Sequence, residues 1–572
     1  MKVIKGEALP LGVTRSGMQQ MNFAIPVAQD TTCVLQLFKK GEEVPAYEYP
    51  MLQNQRFQGV RYLALTEWDT TLVEYCFVIG TEVYVDAFAT GICGRKVWGE
   101  KERLPLRGIL PNLLQPKEQV VAKPMKAIPE EAVIAYRIHV RGFTMHPSSR
   151  IREKGCFEGI LQKIPYLQSL GINQIQLLPC YEFVEEGTPI NYWGYAPGFL
   201  YAPKQAYCMR EHTEQVFCHF VNTLHDAGIE VILDMPFVAQ ESAHFQLECL
   251  RYWAMQYQVD GFLLNPCITN VHEMQQDCIL QNRKLLVTDE GFQTTMRRFL
   301  KGDEDMVQEV IWKLRQKSGK GEVQRYNTLA NHNGFTLHDV VSYDGKHNEL
   351  NGERNLDGTN YNYCWNCGIE GPTRKRAVLE LRERQLRNAW ALLLLAQGTP
   401  CILAGDEFGN SQSGNNNAYC QDNEISWLDW RLLHKNEKQF TYVKNLIALR
   451  QSHPVLHQVN ALHGMDNMHC GLPDVSYHGE EAWRTPNEVA SRQLGVLYCG
   501  KYVQDQDCFI AYNMHWMEHD FALPSLPKGK AWYQILNTST GTFEKIKVQS
   551  QLRKVRIEER SVVVFVSENN EK

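Results

Sequence analysis

Val133-Ile-Ala-Tyr-Arg-Ile-His-Val140 is the stretch on which the fold turns. It is apolar and β-branched, the texture of a strand buried on both faces. Apolar residues then recur with helical spacing at Phe157, Ile160, Leu161, Ile164, Leu167 and Leu170, and Gly171 stops the pattern. Ile172-Asn-Gln-Ile-Gln-Leu-Leu178 reads as a second buried strand, closed by Pro179. Val216, Phe217, Phe220, Val221 and Leu224 give the next helix, ended by Gly228. Further strand candidates are residues 230–234, 259–264, 284–288, 327–332 and 401–404. This alternation predicts a TIM-type (β/α)8 barrel, an α/β fold. The other possible arrangement is a doubly wound sheet, but no Gly-rich phosphate loop follows the first strand. The sixth strand cannot be placed from the pattern.

The flanks have a different texture. Residues 1–125 alternate short apolar runs with turn residues, at 21–27, 33–38, 60–65 and 71–79, which predicts a small β-sandwich. A Pro- and Lys-bearing stretch, 115–129, reads as a linker into a barrel over 126–455. Residues 456–572 carry strand runs at 494–498, 508–513, 532–536 and 561–566, and predict a closing β-sandwich domain. At 572 residues the chain is longer than one core normally grows, so several domains are expected. Lys plus Arg is 59 and Asp plus Glu is 65, for a formal charge of −6, which argues against a nucleic-acid partner. The first 17 residues lack the apolar core of an export signal, and no run is long enough to span a bilayer. With 17 cysteines and no such signal, reduced thiols in a cytoplasm are expected. Cys364-Trp-Asn-Cys367 has metal-like spacing but no second pair, so neither a metal nor another cofactor is expected.

The strand ends, where barrel chemistry sits, carry longer motifs. These are Tyr136-Arg-Ile-His-Val-Arg-Gly-Phe143, Asn191-Tyr-Trp-Gly-Tyr195 and Gly334-Phe-Thr-Leu-His-Asp-Val-Val-Ser-Tyr-Asp-Gly-Lys-His-Asn-Glu349. Two more are Ala404-Gly-Asp-Glu-Phe-Gly409 and Gly414-Asn-Asn-Asn-Ala-Tyr-Cys-Gln-Asp-Asn-Glu-Ile-Ser-Trp-Leu-Asp-Trp430. In them the chain resembles glycogen-debranching enzymes and isoamylases of the α-amylase superfamily, glycoside hydrolase family 13. The resemblance covers residues 130–455. It extends more loosely to the N-terminal region, similar to a family 48 carbohydrate-binding module, and to Tyr512-Asn-Met-His-Trp516 in the C-terminal domain.

The resemblance implies retaining chemistry, in which one carboxylate attacks the anomeric carbon and a second protonates the leaving oxygen. A third acid supports the distorted sugar, and an Arg beside the nucleophile keeps it ionised. The family's nucleophile motif, Asp-Gly-Phe-Arg-Phe-Asp, reads Asp260-Gly-Phe-Leu-Leu-Asn265 here. Leu263 stands at the Arg position and Asn265 at the nucleophile position, and Pro266 disfavours deamidation because it has no N–H to close a succinimide. The acid position falls on Thr288, with Glu290 or Asp289 as a displaced substitute, and a stretch of family residues is missing before Arg297. The third acid position is Asn333, after a retained His332. The family's Asp-Val-Val-Tyr-Asn-His reads Asp234-Met-Pro-Phe-Val-Ala239, so a sugar-contacting His becomes Ala239. Asp234 has lost its usual Arg partner at 263 and must find other donors or be partly solvated.

Trp193, Tyr195, His332, Asn265 and Asn333 are the candidate sugar contacts, the two amides being near-isosteres of Asp that both accept and donate. Wall packing is the competing role for Tyr195, and core packing for Trp427 and Trp430. Ala196, where the family has Asp, weakens the first sugar subsite. Asp406 and Glu407 could be read as a carboxylate pair, but the resemblance matches them to a structural and outer-subsite segment of the family. Trp68, Tyr84 and Trp98 are candidates for a glucan platform, against packing at the barrel edge. Three readings follow. The first is a catalytically inactive member of the family that binds α-glucan or regulates an active debranching paralogue. The second is an active α-1,6-glucan hydrolase with Glu290 or Asp289 as acid. The third is an interaction protein without sugar binding.

Overall fold

The computed structural model describes all residues except 16–19, 29, 53–55, 58, 100–105, 112–119, 211, 319–321, 550–552 and 570–572. The first part of the expected linker, 115–119, lies outside the described residues. The rest of it is pinned to the barrel: the Lys123 amide donates to Asn222 Oδ1 at 2.8 Å, and the Ile128 amide to Glu230 at 2.8 Å.

The N-terminal region is a sandwich of two antiparallel sheets, with Phe23, Leu35, Leu37, Leu63 and Phe77 buried between them. The strand runs read from the sequence appear as Met21–Pro26, Cys33–Lys39, Val60–Thr66 and Leu72–Ile79. Trp68 packs against this core and Tyr84 is exposed. Trp98 stacks on Tyr207 of the barrel region at 5.6 Å, so the three aromatics form no common platform. Below Trp98, Arg95 reaches Glu182 at 3.1 Å and Glu185 at 2.7 Å, and Lys204 meets the same two carboxylates. This fully buried network fastens the sandwich to the barrel. Removing one member would leave a buried charge unpaired, which is far costlier than losing a surface pair.

The centre is a closed parallel barrel of the TIM type, as expected. Among the described residues it closes with seven strands, not eight. In order these are β1 (Ala135–Ile138), β2 (Gln174–Leu177), β3 (Glu230–Asp234), β4 (Gly261–Leu264), β5 (Lys284–Thr288), β6 (Gln324–Asn327) and β7 (Thr399–Leu403). The strand that the sequence pattern left unplaced does not occur among the described residues, for a local reason. Asp289 caps a helix, Glu290–Lys301, immediately after β5, with its side chain accepting from the Gly291 amide at 2.9 Å. Two helices, Glu290–Lys301 and Val307–Arg315, follow β5, and β5 pairs directly with β6, Thr288 opposite Tyr326. The strand expected at 327–332 ends at Asn327, so residues 328–332 extend beyond the barrel as a loop.

The periodic run 157–170 is two helices, Phe157–Leu161 and Ile164–Leu170. Pro165 lies in the first turn of the second helix; within one continuous helix it would leave a carbonyl unpaired and crowd the preceding turn. Val216 to Leu224 fall within Thr213–Asp226, which buries Phe217, Phe220, Val221 and Leu224. The C-terminal region is a six-stranded antiparallel sheet faced by a two-stranded one, with Phe509, Phe521, Trp532 and Phe565 between them. Among the described residues no helix is long and apolar enough to cross a membrane.

Candidate functional site

The carboxyl ends of the strands gather the residues singled out from the sequence. Asp234 ends β3 and is buried. Its carboxylate takes a guanidinium N–H from Arg137 on β1 at 2.5 Å and the Tyr195 hydroxyl at 2.5 Å. Arg137 Nη2 also donates to the Tyr195 oxygen at 3.4 Å. The donors that Asp234 had to find are therefore Arg137 and Tyr195. Arg137 belongs to a motif legible in the sequence, but nothing there tied it to Asp234. Burial still leaves the Asp234 carboxyl above its ordinary value, because desolvation outweighs the attraction of Arg137. Leu263 is 6% exposed and packs with Ile232, Leu286 and Tyr326 inside the barrel.

Tyr195 owes its position to a tight turn. Gly194 has φ of +88°, and a Cβ there would lie 2.5 Å from the Phe183 ring, so only glycine fits. The Gly194 amide donates to Asn191 Oδ1 at 3.1 Å, and the Tyr192 amide to the Tyr419 carbonyl at 2.8 Å. Tyr195 is 39% exposed, with its hydroxyl turned inward to Asp234. His332 stacks on it at 5.2 Å with planes 7° apart, and Trp193 meets His332 edge-on at 4.8 Å. A His332 ring nitrogen lies 2.9 Å from Asn331 Oδ1. Burial, with Arg137 and His139 nearby, holds His332 well below its ordinary value, so the ring is neutral at pH 7.

Asn265, Thr288 and Asn333 are all exposed just past β4, at the end of β5 and past β6. The Asn265 amide oxygen accepts from the Cys267 amide at 3.0 Å, forming a turn. Glu290 is exposed in the first turn of its helix. Asp289, besides its capping bond, pairs with Lys313 at 3.2 Å. Ala239, which the resemblance sets at a sugar-contacting position, is exposed and carries no polar side-chain atom. Structure thus brings Trp193, Tyr195 and His332 into one cluster, while the Asn265 and Asn333 side chains stay at the exposed rim.

Two cavities lie at these strand ends, one of 20 Å³ bounded by Arg137, Leu263, Thr288 and Asn331. The other, of 50 Å³, is bounded by Arg137, His139, Trp193, His332 and Gln412. Both fall far short of the roughly 300–1,000 Å³ of ordinary ligand pockets.

Asp406 and Glu407, just past β7, are structural. Asp406 accepts from the Leu337 amide at 2.9 Å; Glu407 accepts from the Tyr136 hydroxyl at 2.7 Å and from the Tyr166 hydroxyl. Both are fully buried, and desolvation raises both. Trp430 is core, its indole N–H donating to the Phe143 carbonyl at 2.8 Å, while the partly buried Trp427 donates to Asp422 at 2.8 Å. All seventeen cysteines are free. Cys364 and Cys367 aim their sulfurs at different carbonyls, and no cluster of three or more metal-ligating side chains occurs among the described residues.

No family model matches the chain. It is 30% identical to the glycogen operon protein GlgX homolog of Haemophilus influenzae, over 78% of this chain and 84% of that one. It is 26% identical to the chloroplastic isoamylase 3 of Oryza sativa subsp. japonica, over 94% of this chain and 83% of that one. Among solved structures, the pullulanase of Paenibacillus barengoltzii in complex with maltohexaose and α-cyclodextrin superposes with a TM-score of 0.74 at 18% identity, covering 98% of this chain and 96% of that one. Fold, strand-end motifs and relatives agree, and the chain belongs to the glycogen-debranching and isoamylase group of glycoside hydrolase family 13.

Proposed function

We propose that this chain is a non-catalytic member of its family that binds α-glucan in the cytoplasm, without cleaving it, in support of glycogen or starch metabolism. One observation carries the reading. At the three strand ends where the family's chemistry needs carboxyl groups, the residues are Asn265, Thr288 and Asn333. A retaining hydrolase needs one ionised and one protonated carboxyl about 5–5.5 Å apart across the glycosidic bond, and amides and a hydroxyl supply neither. Asp234 is no replacement, since Arg137 and Tyr195 hold its carboxylate inside the barrel. Asp289 is committed to a helix cap and to Lys313, and Glu290 is an exposed helix-start carboxylate.

Support for glucan binding comes from the half-exposed Tyr195, backed by His332 and Trp193, and from a solved relative in complex with maltohexaose. An active debranching paralogue is the partner this reading favours, since a glucan-holding subunit would assist an enzyme acting on the same polymer. Purified protein incubated with glycogen and with pullulan should release no reducing ends above a matched control, yet should bind both in co-sedimentation or affinity electrophoresis. Release would establish an active hydrolase, and absence of both release and binding would leave the reading of an interaction protein.

A further inference from the structure

Two cysteines of the C-terminal domain lie with their sulfur atoms 4.0 Å apart, Cys470 and Cys499. Cys499 is fully buried directly after the strand Gln493–Tyr498, and its amide donates to the Asp474 carbonyl at 3.1 Å. Cys470 is partly exposed on a turn held from several sides. The Cys470 and Gly471 amides donate to the Asp466 carboxylate at 2.9 and 2.8 Å, and Lys501 Nζ donates to the Cys470 carbonyl at 3.0 Å. The Tyr502 hydroxyl donates to the Met465 carbonyl at 3.1 Å. Both sulfurs therefore sit on fixed backbone. A disulfide bond of about 2.05 Å needs about 2 Å of closure, within reach of side-chain rotation.

We propose that Cys470 and Cys499 are a reversible, hydroperoxide-sensitive thiol pair, whose disulfide ties the 466–471 turn to the C-terminal sheet. Cys470, which solvent reaches, reacts first. Its thiolate attacks one peroxide oxygen, the O–O bond breaks, and the departing hydroxide leaves as water with the thiol proton. Cys470 is then a sulfenic acid. The Cys499 sulfur attacks the Cys470 sulfur, the S–O bond breaks, and the leaving hydroxide takes the Cys499 proton as a second water. Two thiols lose two electrons in all, and the peroxide gains them. Burial pushes the Cys499 thiol up to about 12, so it does not compete with Cys470 for the oxidant and gives up its proton only as the S–O bond breaks. The Cys364 and Cys367 pair, closer in sequence, is the internal competitor.

The test is a non-reducing peptide map of the full-length protein after a slight excess of hydrogen peroxide and alkylation of remaining thiols. The expected result is a linked peptide pair containing Cys470 and Cys499, abolished by dithiothreitol. Cys470→Ser should abolish the link and leave Cys499 fully alkylated. Cys499→Ser should leave a Cys470 sulfenic acid that dimedone traps. Melting curves of both variants establish that they fold, and the wild-type map stands without them. Over-oxidation of Cys470 to sulfinic acid while wild-type Cys499 remains alkylatable would overturn the proposal. So would a first disulfide between Cys364 and Cys367.

Discussion

Arg137 shows how a buried carboxylate can take its partner from a non-adjacent strand. Its charge enters the barrel from β1 and meets Asp234 on β3, where Leu263 on β4 has no charge to offer. Replacing Arg137 with Met should strand a buried carboxylate, at a cost of about 3–5 kcal/mol. Arg137→Met combined with Asp234→Asn should recover most of that loss. Scanning calorimetry checks both, and equal melting points for the single and double variants would refute the pairing. The partners are 97 residues apart on non-adjacent strands, so the sequence could state the need for a donor but not identify it.

Asp86 gives a pH-dependent counterpart at the same scale. It is 1% exposed, accepts from the Tyr75 hydroxyl at 2.8 Å and from the Phe88 amide at 2.9 Å, and burial raises it to about 6. A carboxyl raised in the folded state contributes stability below its unfolded value, near 4, and loses it as pH rises through the folded value. Asp86→Asn should therefore remove part of the stability decline of the N-terminal sandwich between about pH 4 and 6. Parallel melting curves across that range would contradict this.

Among elements, the β5-to-helix junction matters most. Strand Lys284–Thr288 passes through Asp289 straight into Glu290–Lys301, and among the described residues the barrel closes with seven strands; the proposed reading puts the family's acid position on Thr288, at the end of this strand. Restoring the other positions by Leu263→Arg, Asn265→Asp and Asn333→Asp together should yield no hydrolysis of pullulan, because a general acid is still lacking. Robust reducing-end release from that triple variant would mean that Glu290 or Asp289 already serves as acid. Much of this level was legible in advance. The runs 230–234 and 284–288 match β3 and β5 residue for residue, and the β1, β2 and β4 runs contain their strands, whereas the sequence pattern left the stretch after β5 unplaced. What periodicity could not supply was the break at Pro165 or the end of β6 at Asn327. A proline in a helix's first turn leaves the apolar spacing intact, and an apolar run does not mark where pairing stops.

Across the whole molecule, a sandwich, a barrel and a closing β-domain follow one another, with Arg95, Glu182, Glu185 and Lys204 fastening the first to the second. The family was readable from long motifs, whereas the shape of its site was not. Only the folded chain brings Trp193, Tyr195 and His332 together and leaves Asn265 and Asn333 facing solvent. On the proposed reading, that assembly gives a glucan stacking area and amide hydrogen bonds without a carboxyl pair placed to cut it. The most direct test is a paired assay on glycogen and pullulan, with reducing-end release and polymer binding measured on the same preparation. Binding without release is the predicted result; release that grows with enzyme concentration and disappears on Glu290→Gln would contradict it.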